Sequence, residues 1–103
     1  MPYEIILSPE AVEDLRNLKA NDGPVVRDAI EAHLRHEPTK VSKSRIKRLR
    51  GMSQPQYRLR VGDIRVFYDV AETAVEVLAI VPKSEALNRL EQWGVSDEGS
   101  GTV

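Results

Sequence analysis

The sequence contains no cysteine, which removes both a disulfide framework and any thiolate metal site. Histidine is nearly as scarce. His33 and His36 are the only two, three residues apart in one expected helix and without a cluster of other ligands, so no metal site is expected. No apolar run suggests a membrane span, the N-terminus lacks the apolar segment of an export signal, and no stretch repeats another. The expectation is a soluble cytoplasmic protein that works without metal or cofactor. What is present, 103 residues with 41% hydrophobic content, suits one domain with a modest core.

Net charge is also small, −1 at pH 7, but the charges are segregated along the chain. Residues 1–40 carry five Lys/Arg against eight Asp/Glu, and residues 71–103 carry Lys83 and Arg89 against six carboxylates. Between them, Lys43, Arg45, Lys47, Arg48, Arg50, Arg58, Arg60 and Arg65 face only Asp63 and Asp69, a local balance of +6. Such a block either forms a solvated, salt-bridged face or meets an anionic partner at one surface.

The pattern of apolar residues orders the chain as β-α-α-β-β-β-β-α. Tyr3-Glu4-Ile5-Ile6-Leu7 reads as a strand, ended by Ser8 as a helix cap and Pro9 at the first helical position. Ala11, Val12, Leu15 and Leu18 then fall on one helical stripe. Asn21-Asp22-Gly23-Pro24 breaks that helix and opens a second, whose apolar face is Val26, Ala29, Ile30, His33 and Leu34. Residues 38–44 form a polar connector to an extended segment at residues 45–50. Val75-Glu76-Val77-Leu78-Ala79-Ile80-Val81 is apolar enough for a central strand covered on both faces. Pro82 stops it, Ser84 is placed to cap a last helix, and Ala86, Leu87, Leu90 and Trp93 form that helix's stripe. The expected fold is α+β: a small antiparallel sheet packed against an N-terminal helical hairpin, with a short C-terminal helix. Residues 1–95 are expected to form the single domain and 96–103 a disordered tail.

The stretch YRLRVGDIRVFYDV at residues 57–70 reads as a β-hairpin with Gly62-Asp63 as a two-residue turn. That turn pairs Val61 with Ile64, Arg60 with Arg65, Leu59 with Val66, Arg58 with Phe67 and Tyr57 with Tyr68. Directly paired residues share a face. Tyr57, Leu59, Val61, Ile64, Val66 and Tyr68 then look to the helices, and Arg58, Arg60, Arg65 and Phe67 look away. Like charges directly opposite each other cost about 0.2–1 kcal/mol, so a sequence shaped by stability alone would avoid Arg60 against Arg65. Three guanidiniums beside an exposed aromatic suit phosphate groups and a base, and the carboxylates of a partner protein or of this chain would satisfy them equally.

KRLRGM at residues 47–52 followed by YRLRVGDIRVFYDV resembles the RelE/ParE superfamily of bacterial toxin–antitoxin toxins, and its RelE branch most. The similarity runs from YEIILSPEAVEDLRNL to the strand ending at Val81. The resemblance implies a RelE-like fold and a toxin that enters the ribosomal A site and cleaves mRNA there, held inactive by a cognate antitoxin. It implies that Arg60 and Arg65 stabilise the transition state at the scissile phosphate, with Lys83 as a further catalytic cation. Arg58, Phe67, Lys43, Arg45, Lys47, Arg48 and Arg50 would contact mRNA or ribosomal RNA. Where many RelE-type toxins place a tyrosine four residues after that cation, this chain has Leu87, and Glu85, Tyr68 and Asp69 are the nearby candidates for a base. Two alternatives stay open: a ParE-like inhibitor of DNA gyrase without nuclease activity, and a degenerate toxin that keeps only antitoxin binding. The antitoxin would cover the basic face or displace the last helix around residues 87–93.

Overall fold

The computed structural model describes residues 2–51 and 53–93; the tail expected at 96–103 lies outside them. The elements are β1 (Glu4–Leu7), α1 (Pro9–Arg16), α2 (Asp22–Leu34), β2 (Ile46–Arg48), β3 (Tyr57–Val61), β4 (Ile64–Val70), β5 (Ala74–Pro82) and α3 (Lys83–Glu91). They form one five-stranded sheet in the order β1-β5-β4-β3-β2. All neighbours are antiparallel except β1, which runs parallel to β5 with Leu7 opposite Val77. That one parallel pair departs from the expected antiparallel sheet. It arises because β1 and β5 are joined by everything between them, a connection long enough for parallel pairing.

α1 and α2 cover one face of the sheet. Ser8 caps α1 through its Oγ, which accepts the Ala11 N–H at 3.0 Å, and Pro9 opens the helix where no N–H is needed. Ala11, Val26, Ile30 and Leu34 are buried against Leu59, Val66, Tyr68, Val75, Val77 and Ile80. Burial of each Leu, Ile or Val at such a position contributes about 1.5–3 kcal/mol. Tyr68 stacks on Tyr57 with ring centroids 5.5 Å apart, and its hydroxyl donates to the Pro38 carbonyl at 2.7 Å.

α3 lies on the opposite face. It leaves β5 without a loop, Pro82 ending the strand and Lys83 beginning the helix. The expected Ser84 cap is therefore corrected: the N-cap position falls two residues earlier, at Pro82, and has no side-chain cap. Instead the Lys83 N–H, one of the orphan donors of a helix start, donates to the Asp63 carbonyl of the hairpin turn at 2.6 Å. Ala86 and Leu90 close over Leu49, Phe67, Ala79 and Val81, and Trp93 meets Phe67 edge-on at 6.3 Å. β5 is thus covered on both faces, as its apolar run predicts.

An ion pair ties α3 to α1. Arg89 donates to both Asp14 carboxylate oxygens, at 2.8 and 2.9 Å. Asp14 Oδ2 also accepts the Ile80 N–H at 3.0 Å. β1 ends opposite Val77, so beyond it β5 has an open edge, and the Asp14 carboxylate replaces the missing strand.

Candidate functional site

The hairpin has the register that its sequence predicts at all five pairs. Gly62 has φ +57°, in the left-handed region that the first central residue of this turn demands, and Asp63 has not. The Arg60 N–H points away from β4 and donates to the Arg45 carbonyl at 2.8 Å. Arg60 and Arg65 therefore form a non-hydrogen-bonded pair, the arrangement that brings opposite residues closest, about 4.5 Å between Cα atoms. Lys47 on β2 is opposite Arg58 and extends the same face.

The three guanidiniums are held differently. Arg65 is only 8% exposed, and its Nη1 donates to the Gly62 and Ile64 carbonyls at 2.9 and 3.2 Å. Arg58 is half-buried, and its buried Nε–H has no hydrogen-bond partner among the described residues. Arg60 is exposed. Burial, and then the charges of Arg65 and Arg60, push the Arg58 guanidinium below its usual range. Burial and Arg60 do the same to Arg65, with Asp63 opposing them. A guanidinium starts so far above neutrality that both remain cations at pH 7. Among the described residues no ion pair offsets the repulsion. Among the described residues the ion pairs involve Arg16, Arg35, Lys40 and Arg89 only, and no cation from residue 43 to 83 has a carboxylate within pairing distance.

Other expected site residues sit elsewhere. Phe67 is 0% exposed beneath α3, so it is not a platform open to a base; the expectation of an exposed aromatic is corrected. Arg48 projects to the other face, its guanidinium 5.2 Å from the Tyr57 ring and bonded to the Leu49 and Gln56 carbonyls. Arg45 is opposite Arg60, yet its guanidinium rounds the sheet edge to His33 of α2, with Nη1 2.8 Å from Nε2. Lys43 and Arg50 are exposed in the segments flanking β2, outside the hairpin face. Arg48 and Arg45 thus leave the cluster that their place in the sequence suggests.

α3 contributes its own edge to the site. A helix turns about 100° per residue, so Arg89 and Glu85 share one flank while Lys83 and Leu87 share the other. Arg89 points to Asp14 beyond the β5 edge, and Leu87 is on the flank away from it, whereas Lys83, next to the hairpin turn, lines the same cavity as Asp14, Glu85 and Arg89. Leu87 is 49% exposed there. None of the three candidate bases joins it. Tyr68 lies on the opposite face, donates to Pro38, and has its hydroxyl pKa pushed well up by burial and by Tyr57. Asp69 accepts from Gln54 Nε2 and the Gln56 N–H, at 3.0 and 2.7 Å, far along β4 from the turn. Glu85 is on the Arg89 flank. The site supplies positive charge, and among the described carboxylates only Asp63 of the turn, beyond ion-pairing distance, acts on Arg65.

Residues 5–87 match the model of the ParE toxin of the type II toxin–antitoxin system parDE. The chain belongs to the ParE toxin family. Its fold is that of RelE toxins as well. The RelBE2 toxin–antitoxin complex from Mycobacterium tuberculosis contains a chain 25% identical, with TM-score 0.69, over 80% of this chain and 99% of that one. A RelE–RelB complex from Pyrococcus horikoshii has one at 27% identity and TM-score 0.60, over 81% and 97%. Isolated E. coli RelE shares the fold at 20% identity and TM-score 0.61, over 85% and 98%. No functionally curated protein matches the sequence. Family membership makes the chain a toxin of a type II toxin–antitoxin system. Among the described residues no helix is long and apolar enough to cross a membrane, and no group of ligands could hold a metal.

Proposed function

We propose that this toxin is a ribosome-dependent endoribonuclease that cleaves mRNA in the A site and is restrained by a cognate antitoxin. The observation that carries the reading is the hairpin face: Arg58, Arg60 and Arg65 lie together with no carboxylate in ion-pairing distance among the described residues, and Arg58 Nε–H has no partner among them. A buried donor without a partner costs about 1–3 kcal/mol, and a phosphate oxygen would satisfy it. Attack of a ribose 2′-hydroxyl on the adjacent phosphate adds negative charge as the pentacovalent state forms and expels the 5′ oxygen. Preorganised guanidiniums stabilise that charge, the contribution that is usually largest in such sites. Arg65, locked by the turn carbonyls, and Arg60, free to move, are assigned to the non-bridging oxygens, with Lys83 as a further cation. In this reading the ribosome is the source of the alignment that Tyr68, Asp69 and Glu85, placed away from the arginines, do not provide.

In a translating extract, Arg60→Gln with Arg65→Gln should abolish the new mRNA 5′ ends that the unmodified toxin produces. Undiminished cleavage by the double variant would overturn the site. The ParE family match, with Tyr68 and Asp69 placed away from the arginines, supports a second reading, inhibition of DNA gyrase without nuclease activity. That reading expects blocked supercoiling and intact mRNA from the unmodified protein.

A further inference from the structure

A strand at the edge of a sheet presents unpaired N–H and C=O groups to any other strand, and folded proteins ordinarily cover them. β2 and the far end of β5 are covered. On β2, Ser42 folds over the outer side: its N–H donates to the Ile46 carbonyl at 3.0 Å and its Oγ accepts the Ile46 N–H at 3.2 Å. On β5 beyond Val77, Ser8 Oγ donates to the Leu78 carbonyl at 3.3 Å, Asp14 takes the Ile80 N–H, and Pro82 has no N–H to offer.

β1 is left open. The Glu4 and Ser8 N–H groups donate inward, to the Thr73 and Val77 carbonyls, so by alternation the backbone groups of Ile5 and Leu7 point out of the edge. No strand lies beyond them among the described residues. The Ile5 and Leu7 side chains pack on the core beneath the helices and hold the strand in place. Ile6 takes the other face, outside the cluster that α3 closes, and is 42% exposed. Both ends of the open stretch are bounded. Tyr3 donates its N–H to the Arg35 carbonyl at 2.7 Å and accepts from Arg35 Nη1 at 3.1 Å, and Pro9 has no N–H.

We infer that β1 pairs with β1 of a second copy of this chain, antiparallel about a two-fold axis at Ile6, so that the two five-stranded sheets become continuous. Ile5 and Leu7 exchange N–H···O bonds with Leu7 and Ile5 of the second copy. Ile6 then falls opposite its own counterpart in a non-hydrogen-bonded pair, about 4.5 Å between Cα atoms. The occupant is a second copy because this edge complements itself, as an isologous contact must. The two exposed isoleucines cover each other, and Glu4 falls opposite Ser8 rather than opposite another Glu4. Pro9, lacking its N–H, falls opposite Tyr3, whose backbone groups are already satisfied. Strands this short make a small interface of the transient class, below about 1,200 Å². The hairpin lies on the far side of β5, so both arginine faces stay open, whether the toxin cleaves mRNA or inhibits gyrase.

With no native cysteine, the register can be tested by cross-linking the full-length protein. A disulfide needs Cα atoms about 4.4–6.8 Å apart, so Ile6→Cys treated with oxidised glutathione should form a covalent dimer on a non-reducing gel. Glu4→Cys, whose two copies lie about 13 Å apart in this register, should stay monomeric. Sedimentation of the unmodified chain over a concentration series should show the mass rising from one chain toward two. Ile6→Lys should hold it at one chain with an unchanged thermal midpoint. Equal cross-linking of the two cysteine variants, or a one-chain mass at every concentration, would overturn the inference. So would free alkylation of Ile6→Cys with no cross-link, which would leave this edge to an antitoxin strand.

Discussion

Arg60 illustrates a residue whose local cost makes sense only through a ligand. Facing Arg65 across a close pair, it opposes folding, and replacing it should help the fold. Arg60→Gln is expected to raise unfolding free energy by about 0.2–1 kcal/mol in denaturant titration while removing function. A loss of stability would mean that the pair is not repulsive. His33 gives a pH dependence of known sign. Its folded pKa lies below 6.5 because of burial and Arg45, so the unfolded chain takes up the proton first, and stability falls as pH drops below about 6.5 toward the folded value. His33→Gln should show a smaller loss between pH 7 and 5, measured by thermal unfolding. Register and turn at this scale were legible because side-chain direction alternates strictly along a strand and Gly62 fixes the count. The reach of Arg45 and Arg48 was not. Alternation sets where a side chain starts, and at a sheet edge a long one can end on either face.

At the scale of elements, α3 depends on two attachments of different kinds. Apolar contact holds its inner face on Phe67, Ala79 and Val81, and the Asp14 carboxylate holds Arg89 while satisfying the β5 edge. Asp14→Ala leaves the Ile80 N–H without its acceptor and should cost about 1–3 kcal/mol. Trp93, the only tryptophan, reports on this attachment, so its emission should shift toward longer wavelengths in the variant under native conditions. A native-like spectrum with full stability would show the clamp to be dispensable. The helix itself was legible from Ala86, Leu90 and Trp93, a stripe that needs a partner. Which face of the sheet it would cover was not, because alternation separates two faces without stating what lies on either. That is why Phe67 read as exposed. The Asp14–Arg89 pair spans 75 positions, and no local pattern signals it.

For the whole molecule, net charge is a poor guide to behaviour. A chain with pI about 6.1 and charge −1 would pass through a cation exchanger at pH 7 if its charges were evenly spread. Its positive charge is instead gathered on the hairpin face and around the β2 edge, unpaired among the described residues, so the protein should be retained on a heparin column at pH 7. Elution in the flow-through would contradict the clustered field. A phosphate buffer should likewise raise the thermal midpoint above that in chloride of equal ionic strength, since a ligand of the folded state alone stabilises it. The acidic ends and basic middle of the sequence foretold this asymmetry, and the fold decides that it appears on two surfaces rather than one.

The Gly62-Asp63 turn also bears on protein engineering. Exposed two-residue turns are common choices for inserting an epitope or a fluorophore, and this one is exposed at both positions. Yet its two carbonyls are committed, that of Gly62 to Arg65 and that of Asp63 to the first N–H of α3. An insertion here would uncouple the hairpin from the helix that carries Lys83 and would yield a folded label without a toxin. The turn at Ala71-Glu72-Thr73, equally exposed and remote from the arginines, is the better place for a tag.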